Sequence, residues 1–441
     1  MLRDAGPTGS FWGLTMGADY LLAVQAAAFP VSPTAFATES AFAQHLRELR
    51  AGLGEQFDRL VLVAPCMTEE QYETQKAHLG IVDLRTDGVA FLPAHTTATT
   101  PWGFWRREVG RIWREVGVAV SKAAVVHSGM STDLWRPLMG LVNLRAWWAG
   151  RPVIFIVDID FRQHSKRYHR LGLWGLRSYC VNRLLYDPLK WMQVWLAPRM
   201  FQLVLLKSAS MVQDFGRGRP NVRNFYDTVH GPDDVLDELS RQARLEWLKQ
   251  DAQTLEVVFF GRLVPYKGLD RAIEAVRLAG EQGCDVRLTL IGEGDCLASL
   301  RRQVTQAGLN DRVRFEPAVP YGAALFERLA RAHVCVACPL VEDTPRAAFD
   351  AMARGLPLVA FDITYFRDLA QQSGAVALAQ WPSAQSLADQ FKALHANRAR
   401  LAEMADRGLT FARQNTQAYW LARRRDWMLE LLHLPGAQSR A

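Results

Sequence analysis

Short runs of apolar residues recur along the chain, separated by stretches with the spacing of amphipathic helices. In the first half these runs cover residues 20–30, 60–64, 89–92, 123–126, 153–157 and 203–206, and residues 39–53 have a helical pattern. Continuous apolar strands that alternate with helices predict a parallel sheet covered on both faces. The pattern therefore predicts a doubly wound α/β fold, whose ligands bind beyond the carboxyl ends of the strands.

The alternation resumes after a segment of turn-forming residues at 216–234. Strands are predicted at 255–260, 286–291, 313–315, 334–338 and 357–361, and helices from about residue 270, near 295–307 and 322–332, within 382–414 and at 416–434. A chain of 441 residues exceeds the usual limit for one hydrophobic core. We therefore predict two Rossmann-like domains, residues 1–235 and 236–415, followed by a C-terminal helical segment, 416–441.

Composition places the chain among ordinary globular proteins. Hydrophobic residues make up 49% and charged residues 22% of the sequence, which argues against extensive disorder. The N-terminus lacks a basic segment that leads into an apolar core, so no signal peptide is predicted. No apolar run approaches the ~20 residues of a membrane-spanning helix. The formal net charge of +7 favours anionic partners without identifying them.

Six cysteines are scattered without the spacing of a disulfide framework, which favours a reducing compartment such as the cytoplasm. Cys335 and Cys338 form a C-x-x-C sequence within an apolar run predicted to be a strand. Residues three apart on a strand point to opposite faces. We therefore interpret these cysteines as buried small residues rather than as a redox or metal-binding pair.

Two carboxylates, Glu342 and Asp350, lie eight positions apart across a predicted strand-to-helix turn. Thr344 is predicted to cap the helix and Pro345 to occupy its first position. A helix N-terminus presents free backbone N–H groups and the positive end of a dipole, which stabilise an anion. The turn therefore predicts a phosphate-binding site.

Two cations, Arg262 and Lys267, flank the turn after the predicted strand at 255–260. Paired cations at the carboxyl end of a strand can neutralise a diphosphate from two sides. The alternative is a solvated loop with incidental charge. Gly292 and Gly294 follow the next strand, where small residues permit the close approach of a ligand, although a single G-x-G sequence is weak support.

In the first half, polar residues follow three predicted strands. His127 is predicted to point its imidazole into the crevice at the end of one strand. Asp158 and Asp160 follow another strand, and Lys207 follows a third. Loop solvation or helix capping is the alternative for each, and it explains Asp158 and Asp160 equally well, whereas His127 is the more suggestive of a site.

Tryptophan and basic residues are concentrated between residues 101 and 200. This stretch holds nine of the fourteen tryptophans, and residues 161–200 contain eight Lys and Arg residues but a single acid, Asp187. Such a mixture is typical of helices that lie at an anionic membrane surface. The alternative is a helix with a core aromatic face and a solvated charged face. No nucleic-acid-binding motif accompanies the charge, so nucleic acid is not a predicted partner.

The C-terminal motifs resemble those of the retaining family 4 glycosyltransferases of GT-B fold. The resemblance covers about residues 254–380 and rests on motifs in the right order: Phe259-Phe-Gly-Arg262 with Lys267-Gly268, Ile291-Gly-Glu-Gly294, Glu342, Asp350-Ala-Met-Ala, and Gly355-Leu-Pro357. It implies that the second domain binds a sugar nucleotide, that the first binds the acceptor, and that the last helix crosses back to the first domain.

The resemblance also implies roles for individual residues. Arg262 and Lys267 match the pair that holds the donor diphosphate, and Glu342 matches the first carboxylate of the family motif, near the donor sugar. Asp350 stands where a glutamate contacts the ribose hydroxyls. His127 matches a strand-end histidine near the sugar, through a poor local match. The donor-binding set is predicted to be Arg262, Lys267, Gly292, Gly294, Thr344, Arg346 and Asp350, with Glu342 and His127 as catalytic candidates.

The sequence departs from the family pattern at several positions. Asp350 is one methylene shorter than the usual glutamate, Asp343 replaces a common glycine, and Arg346 adds a charge beside the expected phosphate. Pro317 also replaces a glycine, and residues 29–39 lack the usual glycine-rich loop. These departures leave the acceptor side and the ribose contact open.

The predicted function is retaining transfer of a sugar from a UDP- or GDP-sugar to a lipid-linked or saccharide acceptor, without metal or other cofactor. The enzyme is predicted to serve polysaccharide or glycolipid synthesis as a cytoplasmic protein with peripheral contact to an anionic membrane through residues 161–200. The alternatives are a sugar-nucleotide epimerase of the same fold and a non-catalytic, nucleotide-sugar-binding scaffold of a polysaccharide assembly complex.

Overall fold

A computed structural model describes residues 19–250 and 253–433. The N-terminal residues in which no signal peptide is predicted lie outside this range, as does residue 434, the predicted end of the last helix. The described residues of the first part form ten strands: β1 (Asp19–Ala23), β2 (Phe29–Pro30), β3 (Ala35–Glu39), β4 (Leu60–Cys66), β5 (Leu79–Asp83), β6 (Val89–Thr96), β7 (Ala123–Gly129), β8 (Val153–Val157), β9 (Leu203–Leu206) and β10 (Val222–Asn224).

Seven of these strands form a sheet in the order β10-β9-β8-β7-β1-β4-β6. The ladders of β1 with β4 and β7, of β4 with β6, and of β7 with β8 are all parallel. The interior strand β1 is buried along its whole length, as a strand covered on both faces must be. The predicted parallel sheet is confirmed.

The prediction of one strand at 20–30 is wrong. The chain leaves the sheet after Ala23, and Phe29–Pro30 pairs antiparallel with β3 in a separate sheet of order β2-β3-β5. The alanine-rich segment between these strands is apolar without being part of either strand, so composition alone could not show the break. Strands β2 and β3 of this antiparallel sheet lie within residues 29–39, where the sequence lacks the glycine-rich loop of the family pattern.

In the C-terminal half, the residues that the structure describes form six strands: β11 (Thr254–Phe260), β12 (Asp285–Ile291), β13 (Val313–Glu316), β14 (Val334–Ala337), β15 (Leu358–Phe361) and β16 (Val376–Ala379). They form one sheet in the order β13-β12-β11-β14-β15-β16, and every ladder is parallel. All five strands predicted here are confirmed. Cys335 and Cys338 are buried and form no disulfide, which confirms their interpretation as small buried residues.

Helices connect the strands throughout. In the first part they are α1 (Ser40–Leu53), α2 (Glu69–Gln75), α3 (Leu84–Asp87), α4 (Pro101–Gly103), α5 (Val109–Lys122), α6 (Leu138–Trp148), α7 (His164–Arg170), α8 (Leu176–Val181), α9 (Asp187–Met200) and α10 (Ala209–Met211). In the second part they are α11 (Glu238–Lys249), α12 (Leu269–Glu281), α13 (Leu297–Gln306), α14 (Ala323–Ala330), α15 (Ala347–Ala353), α16 (Thr364–Ser373), α17 (Ala384–Ala396), α18 (Arg398–Gln414) and α19 (Gln417–His433).

Local sequence explains where several helices begin. The Thr68 hydroxyl accepts the Gln71 N–H at the start of α2 while the Gln71 side chain accepts the Thr68 N–H, so each group satisfies the other. The Asp237 carboxylate caps α11 by accepting one hydrogen bond from the Ser240 N–H. Helix α12 buries Ala272, Ile273 and Val276, at the spacing expected for one helical face.

Packing divides the chain into two compact units. The first contains the described residues up to 156, residues 196–204 and those from 425 onward, and the second contains residues 157–195 and 205–424. The domain boundaries near residues 235 and 415 stay predictions. Among the described residues, every helix is too short or too polar to traverse a bilayer.

Candidate functional site

A cavity of about 150 Å³ lies at the carboxyl ends of β11 and β14, in the second unit. Arg262 and Lys267 line it, as do Asp343 and Arg346. The Lys267 ammonium lies 2.6 Å from the Asp343 carboxylate, whereas Arg262 and Arg346 are exposed and form no ion pair within the described range. Three cations and one carboxylate leave a surplus of two positive charges, which suits a diphosphate.

The backbone of this cavity is fixed by a close approach at Gly268. This residue has a φ of +64°, and a Cβ atom at this position would collide with the Cys338 carbonyl oxygen. The Cys338 thiol donates a hydrogen bond to the Gly268 carbonyl oxygen at 3.2 Å. Burial raises the pKa of this thiol, so it keeps the proton that it donates. Lys267 is therefore held on a turn that only glycine can close.

A second cavity, of about 410 Å³, lies beside the first at the ends of β11 and β12. Gly292, Tyr321 and Asp350 are among the residues that line it. A Cβ atom on Gly292 would collide with the Gly261 carbonyl oxygen, and one on Gly294 would lie 2.5 Å from the Leu263 carbonyl oxygen. Both glycines are thus required by contact between neighbouring loops of the protein. Their role in the approach of a ligand stays a prediction.

Asp350 lies on α15 with only 5% of its surface exposed. Burial raises the pKa of its carboxyl group to about 7, and the nearby Arg346 guanidinium only partly opposes this shift. Its Oδ1 atom has no hydrogen-bond partner, and the buried His230 imidazole lies 4.0 Å from that oxygen. A buried carboxylate oxygen without a partner can accept a hydrogen bond from a hydroxyl group.

Glu342 is also 5% exposed, and its two oxygens differ. Its Oε1 atom accepts a charge-assisted hydrogen bond from Arg167 and a second one, at 2.9 Å, from the Thr364 hydroxyl. Its Oε2 atom is buried and has no partner. Burial raises the pKa of this carboxyl group, whereas the positive charge of Arg167 lowers it.

The predicted start of helix α15 is wrong. The helix begins at Ala347, with Arg346 at its N-cap and no side-chain cap, so Thr344 does not cap it and Pro345 is not its first residue. Residues 342–345, between β14 and this helix, have no regular secondary structure. Arg167 and Thr364 hold the Oε1 atom of Glu342, and this anchoring of the segment is not visible in local sequence. Pro345 and Arg346 nevertheless line the first cavity.

His127 lies in the first unit, inside β7 rather than after it. Its Nδ1 atom lies 2.7 Å from the Tyr20 hydroxyl on β1. Strand β7 continues to Gly129, where the chain finally leaves the sheet. The structure thus gives His127 a partner on a neighbouring strand, and its catalytic role stays a prediction.

Sequence reasoning missed several residues around the predicted ones. Arg167 is 175 positions from its partner Glu342, and His230 is distant in sequence from Asp350, so no local pattern connects them. The sequence shows Asp343 only as a departure from the family pattern, whereas in the structure its carboxylate forms an ion pair with Lys267. An acid in place of a glycine, next to a predicted phosphate site, is the signal that could have revealed this ion pair.

The chain is similar to known proteins in sequence and in fold. Residues 244–410 match the family model of glycosyl transferases group 1. The amylovoran biosynthesis glycosyltransferase AmsK of Erwinia amylovora is 33% identical over 141 residues, which is 31% of this chain and 35% of AmsK. The aligned region therefore spans about a third of the length of that relative.

Two solved structures have a similar architecture. HepE from Anabaena, solved in complex with UDP, has a TM-score of 0.59 at 15% identity, and the match covers 94% of this chain and 99% of HepE. Sucrose-phosphate synthase from Thermosynechococcus elongatus has a TM-score of 0.58 at 14% identity, with the same coverage. These likenesses and the two parallel sheets confirm the predicted GT-B fold, and the family match confirms the resemblance of the C-terminal motifs.

Proposed function

We propose that this chain, whose residues 244–410 match the family model of glycosyl transferases group 1, transfers a sugar from a nucleoside-diphosphate sugar to an acceptor hydroxyl with retention of configuration. The donor is a UDP- or GDP-sugar, and neither metal nor other cofactor takes part. The acceptor is a saccharide or a lipid-linked saccharide in polysaccharide or glycolipid synthesis. The name of AmsK supports the polysaccharide context, and the UDP bound to HepE supports a uridine nucleotide.

The observation that carries this proposal is a pair of buried carboxylates, each with one oxygen that lacks a hydrogen-bond partner. These atoms are Glu342 Oε2 and Asp350 Oδ1. Leaving a buried acceptor unpaired costs roughly 1–3 kcal/mol, so such atoms are typical of sites that a ligand completes. Hydroxyl groups of a ribose and of a sugar are suitable donors for the two oxygens.

The cations of the first cavity supply the chemistry of the leaving group. Breaking the bond between the sugar and the diphosphate adds one negative charge to the β-phosphate, and Arg262, Lys267 and Arg346 stabilise that charge where it develops. The Glu342 carboxylate orients the sugar or stabilises its positive charge. Front-face attack by the acceptor requires no protein nucleophile. His127 is included as a group near the sugar.

Nucleotide release by the purified full-length protein tests the proposal. UDP- and GDP-sugars are each supplied with and without a membrane extract as the source of acceptor. Acceptor-dependent release supports transfer. Donor conversion without acceptor would instead indicate an epimerase, and tight binding without turnover would indicate a scaffold.

Two variants locate the activity. Lys267→Ala removes a cation of the first cavity and is expected to lower turnover by roughly a hundredfold or more, as for the loss of one transition-state charge contact. Arg271→Ala removes an exposed cation of α12 that does not line this cavity, and it serves as the matched control. Equal turnover of both variants would remove the diphosphate assignment.

We also propose that residues 173–184, which include helix α8, contact an anionic membrane surface. Leu173, Leu176 and Leu184 are 61%, 67% and 77% exposed, which is unusual for leucines that lie so close together in sequence. The exposed Arg177 follows Leu176, and Arg183 precedes Leu184. Apolar side chains that project among cations match the chemistry of an anionic lipid interface.

Liposome flotation tests this membrane contact. The wild-type protein is expected to float with vesicles that contain about 30% anionic lipid, and less so as salt is raised. The double variant Leu176→Asp, Leu184→Asp is expected to stay in the soluble fraction. Leu239→Asp, which changes an 80% exposed leucine on α11, is the matched control. Flotation of the double variant equal to that of the control would contradict the proposal.

A further inference from the structure

A third cavity, of about 500 Å³, lies in the second unit and shares no lining residue with the other two. On one side it is lined by the basic end of α7, which contributes Lys166, Arg167 and Arg170. On the other side it is lined by Arg367 on α16 and by the chain that follows β15 and β16. No motif in the sequence indicated this cavity.

Its charges are strongly unbalanced. Four cations line it against one carboxylate, Asp362, which accepts a hydrogen bond from Arg367 at 2.9 Å. Arg167 is paired with Glu342. Lys166 and Arg170 have no ion pair with any residue in the described ranges. Two unpaired cations that face the same concave surface repel each other and attract a ligand with two negative charges.

Internal contacts hold the part of the cavity that Arg167 and Trp381 form. Arg167 is 8% exposed, and its guanidinium lies 5.5 Å from the centre of the Trp381 ring. The Trp381 indole N–H donates a hydrogen bond to the Leu340 carbonyl oxygen at 3.1 Å. Because these contacts hold Arg167 and Trp381 before a ligand binds, this part of the cavity needs no ordering on binding.

The cavity lies on the same edge of the sheet as the donor site. Residues 362 and 380 directly follow β15 and β16, whereas the first cavity lies at the ends of β11 and β14. Since β14 and β15 are neighbours, about two strand spacings, on the order of 10 Å, separate the two sites along this edge. Glu342 connects them, because its Arg167 and Thr364 partners line the third cavity while the next residue, Asp343, lines the first.

We propose that this third cavity binds the phosphate or diphosphate group of the acceptor substrate. This inference rests on the proposed function, since it names the class of acceptor for the same reaction. A phosphate group carries the two negative charges that Lys166 and Arg170 require, and a volume of about 500 Å³ accommodates a diphosphate with the first part of its substituent. The acceptor is therefore a phosphorylated saccharide, either soluble or linked to a lipid.

Calorimetric titration of the full-length protein tests the inference. UDP and GDP are titrated first, and the nucleotide that binds more tightly is then kept at saturation to fill the donor site. Inorganic pyrophosphate is titrated next, followed by farnesyl diphosphate. Pyrophosphate is expected to bind to the nucleotide-saturated protein. Tighter binding of farnesyl diphosphate supports a lipid-linked acceptor, and equal binding of the two probes supports a soluble phosphorylated acceptor.

Variants assign the binding to this cavity. Lys166→Gln with Arg170→Gln removes two exposed cations and is expected to weaken pyrophosphate binding by roughly tenfold or more, from the loss of charge-assisted hydrogen bonds. Lys166→Arg with Arg170→Lys is expected to restore it. Arg302→Gln with Arg314→Gln removes the same charge from exposed positions of the second unit outside the cavity, and it should leave binding unchanged.

The outcomes separate this inference from the proposed function. If neither UDP nor GDP binds, the proposed function is contradicted. If a nucleotide binds but pyrophosphate does not, only the phosphate cavity is refuted. Pyrophosphate binding that is equally strong in the Lys166→Gln, Arg170→Gln variant and in the Arg302→Gln, Arg314→Gln control also refutes it.

Discussion

Replacing Asp350 by asparagine is expected to stabilise the protein at alkaline pH much more than at acidic pH. The Asp350 carboxyl group is 5% exposed, and its pKa is raised to about 7, chiefly by burial. An aspartate in the unfolded chain has a pKa of about 3.9. Because the folded pKa is the higher one, the folded protein binds more protons between these values. The stability that this group contributes is fully present below about pH 4 and is lost as the pH rises through about 7.

The size of the effect follows from these two pKa values. Between about pH 5 and about pH 8, the wild-type protein is expected to lose about 2–3 kcal/mol of unfolding free energy through this carboxyl group. Asparagine has nearly the same shape and does not titrate in this range. The stability of Asp350→Asn relative to wild type should therefore rise by about 2–3 kcal/mol over the same interval, which corresponds to roughly 5–10 °C in Tm.

Urea titrations of both proteins at several pH values between about 5 and 8 measure this difference. Asp389→Asn, which removes an exposed carboxylate on α17, controls for the change in net charge. A difference in stability between Asp350→Asn and wild type that stays constant over this range would refute the reasoning. It would mean that the Asp350 carboxylate is ionised at the same pH in the folded and unfolded chains.

Three further predictions concern stability. Burial lowers the pKa of the His333 imidazole to about 3. The contribution of this group to the free energy of unfolding is therefore fully present above about pH 6.5 and falls by about 2 kcal/mol between about pH 7 and about pH 5. In urea titrations, His333→Asn should abolish this loss. Gly268→Ala should lower Tm far more than Gly172→Ala. Both glycines have positive φ, but only at Gly268 would the added Cβ atom collide with the Cys338 carbonyl oxygen. Equal decreases in Tm would contradict this steric reason. Arg167→Ala should lower the free energy of unfolding by about 3–5 kcal/mol in the wild-type background and by clearly less when Glu342→Gln is already present. Additive effects in that double-mutant cycle would exclude coupling between Arg167 and Glu342.

The fold was largely predictable because its signals are local. Every apolar run predicted as a strand in the second half is a strand, since a strand buried on both faces must be continuously apolar. The failure at residues 20–30 has the same origin. The mostly apolar residues 24–28 look in sequence like a continuation of the strand, but Gln25 and Ala26 are exposed in the structure, and only hydrogen-bonding partners show which residues belong to the sheet.

The site was predictable in its residues but not in their partners. The positions of Arg262 and Lys267 at the end of β11 followed from the strand pattern and from the family resemblance. The start of α15 did not, because the segment after β14 is held by Arg167 and Thr364, to which no sequence spacing points. The four cations of the third cavity come from two distant segments: Lys166, Arg167 and Arg170 belong to the basic stretch at 161–200, but no sequence spacing places Arg367 beside them.

The sequence by itself determined two parallel sheets, the order of their strands along the chain, and which residues stand at the turns where a nucleotide sugar is proposed to bind. It determined these features because hydrophobic periodicity and turn chemistry act over a few residues. Only the tertiary structure decided which charges are paired and how far they are buried. Lys267 is held by Asp343, Glu342 by Arg167, and the carboxyl group of Asp350 is shielded from water. The free energy of a charge depends on the solvent and charges around it, and distant segments of the chain supply that environment.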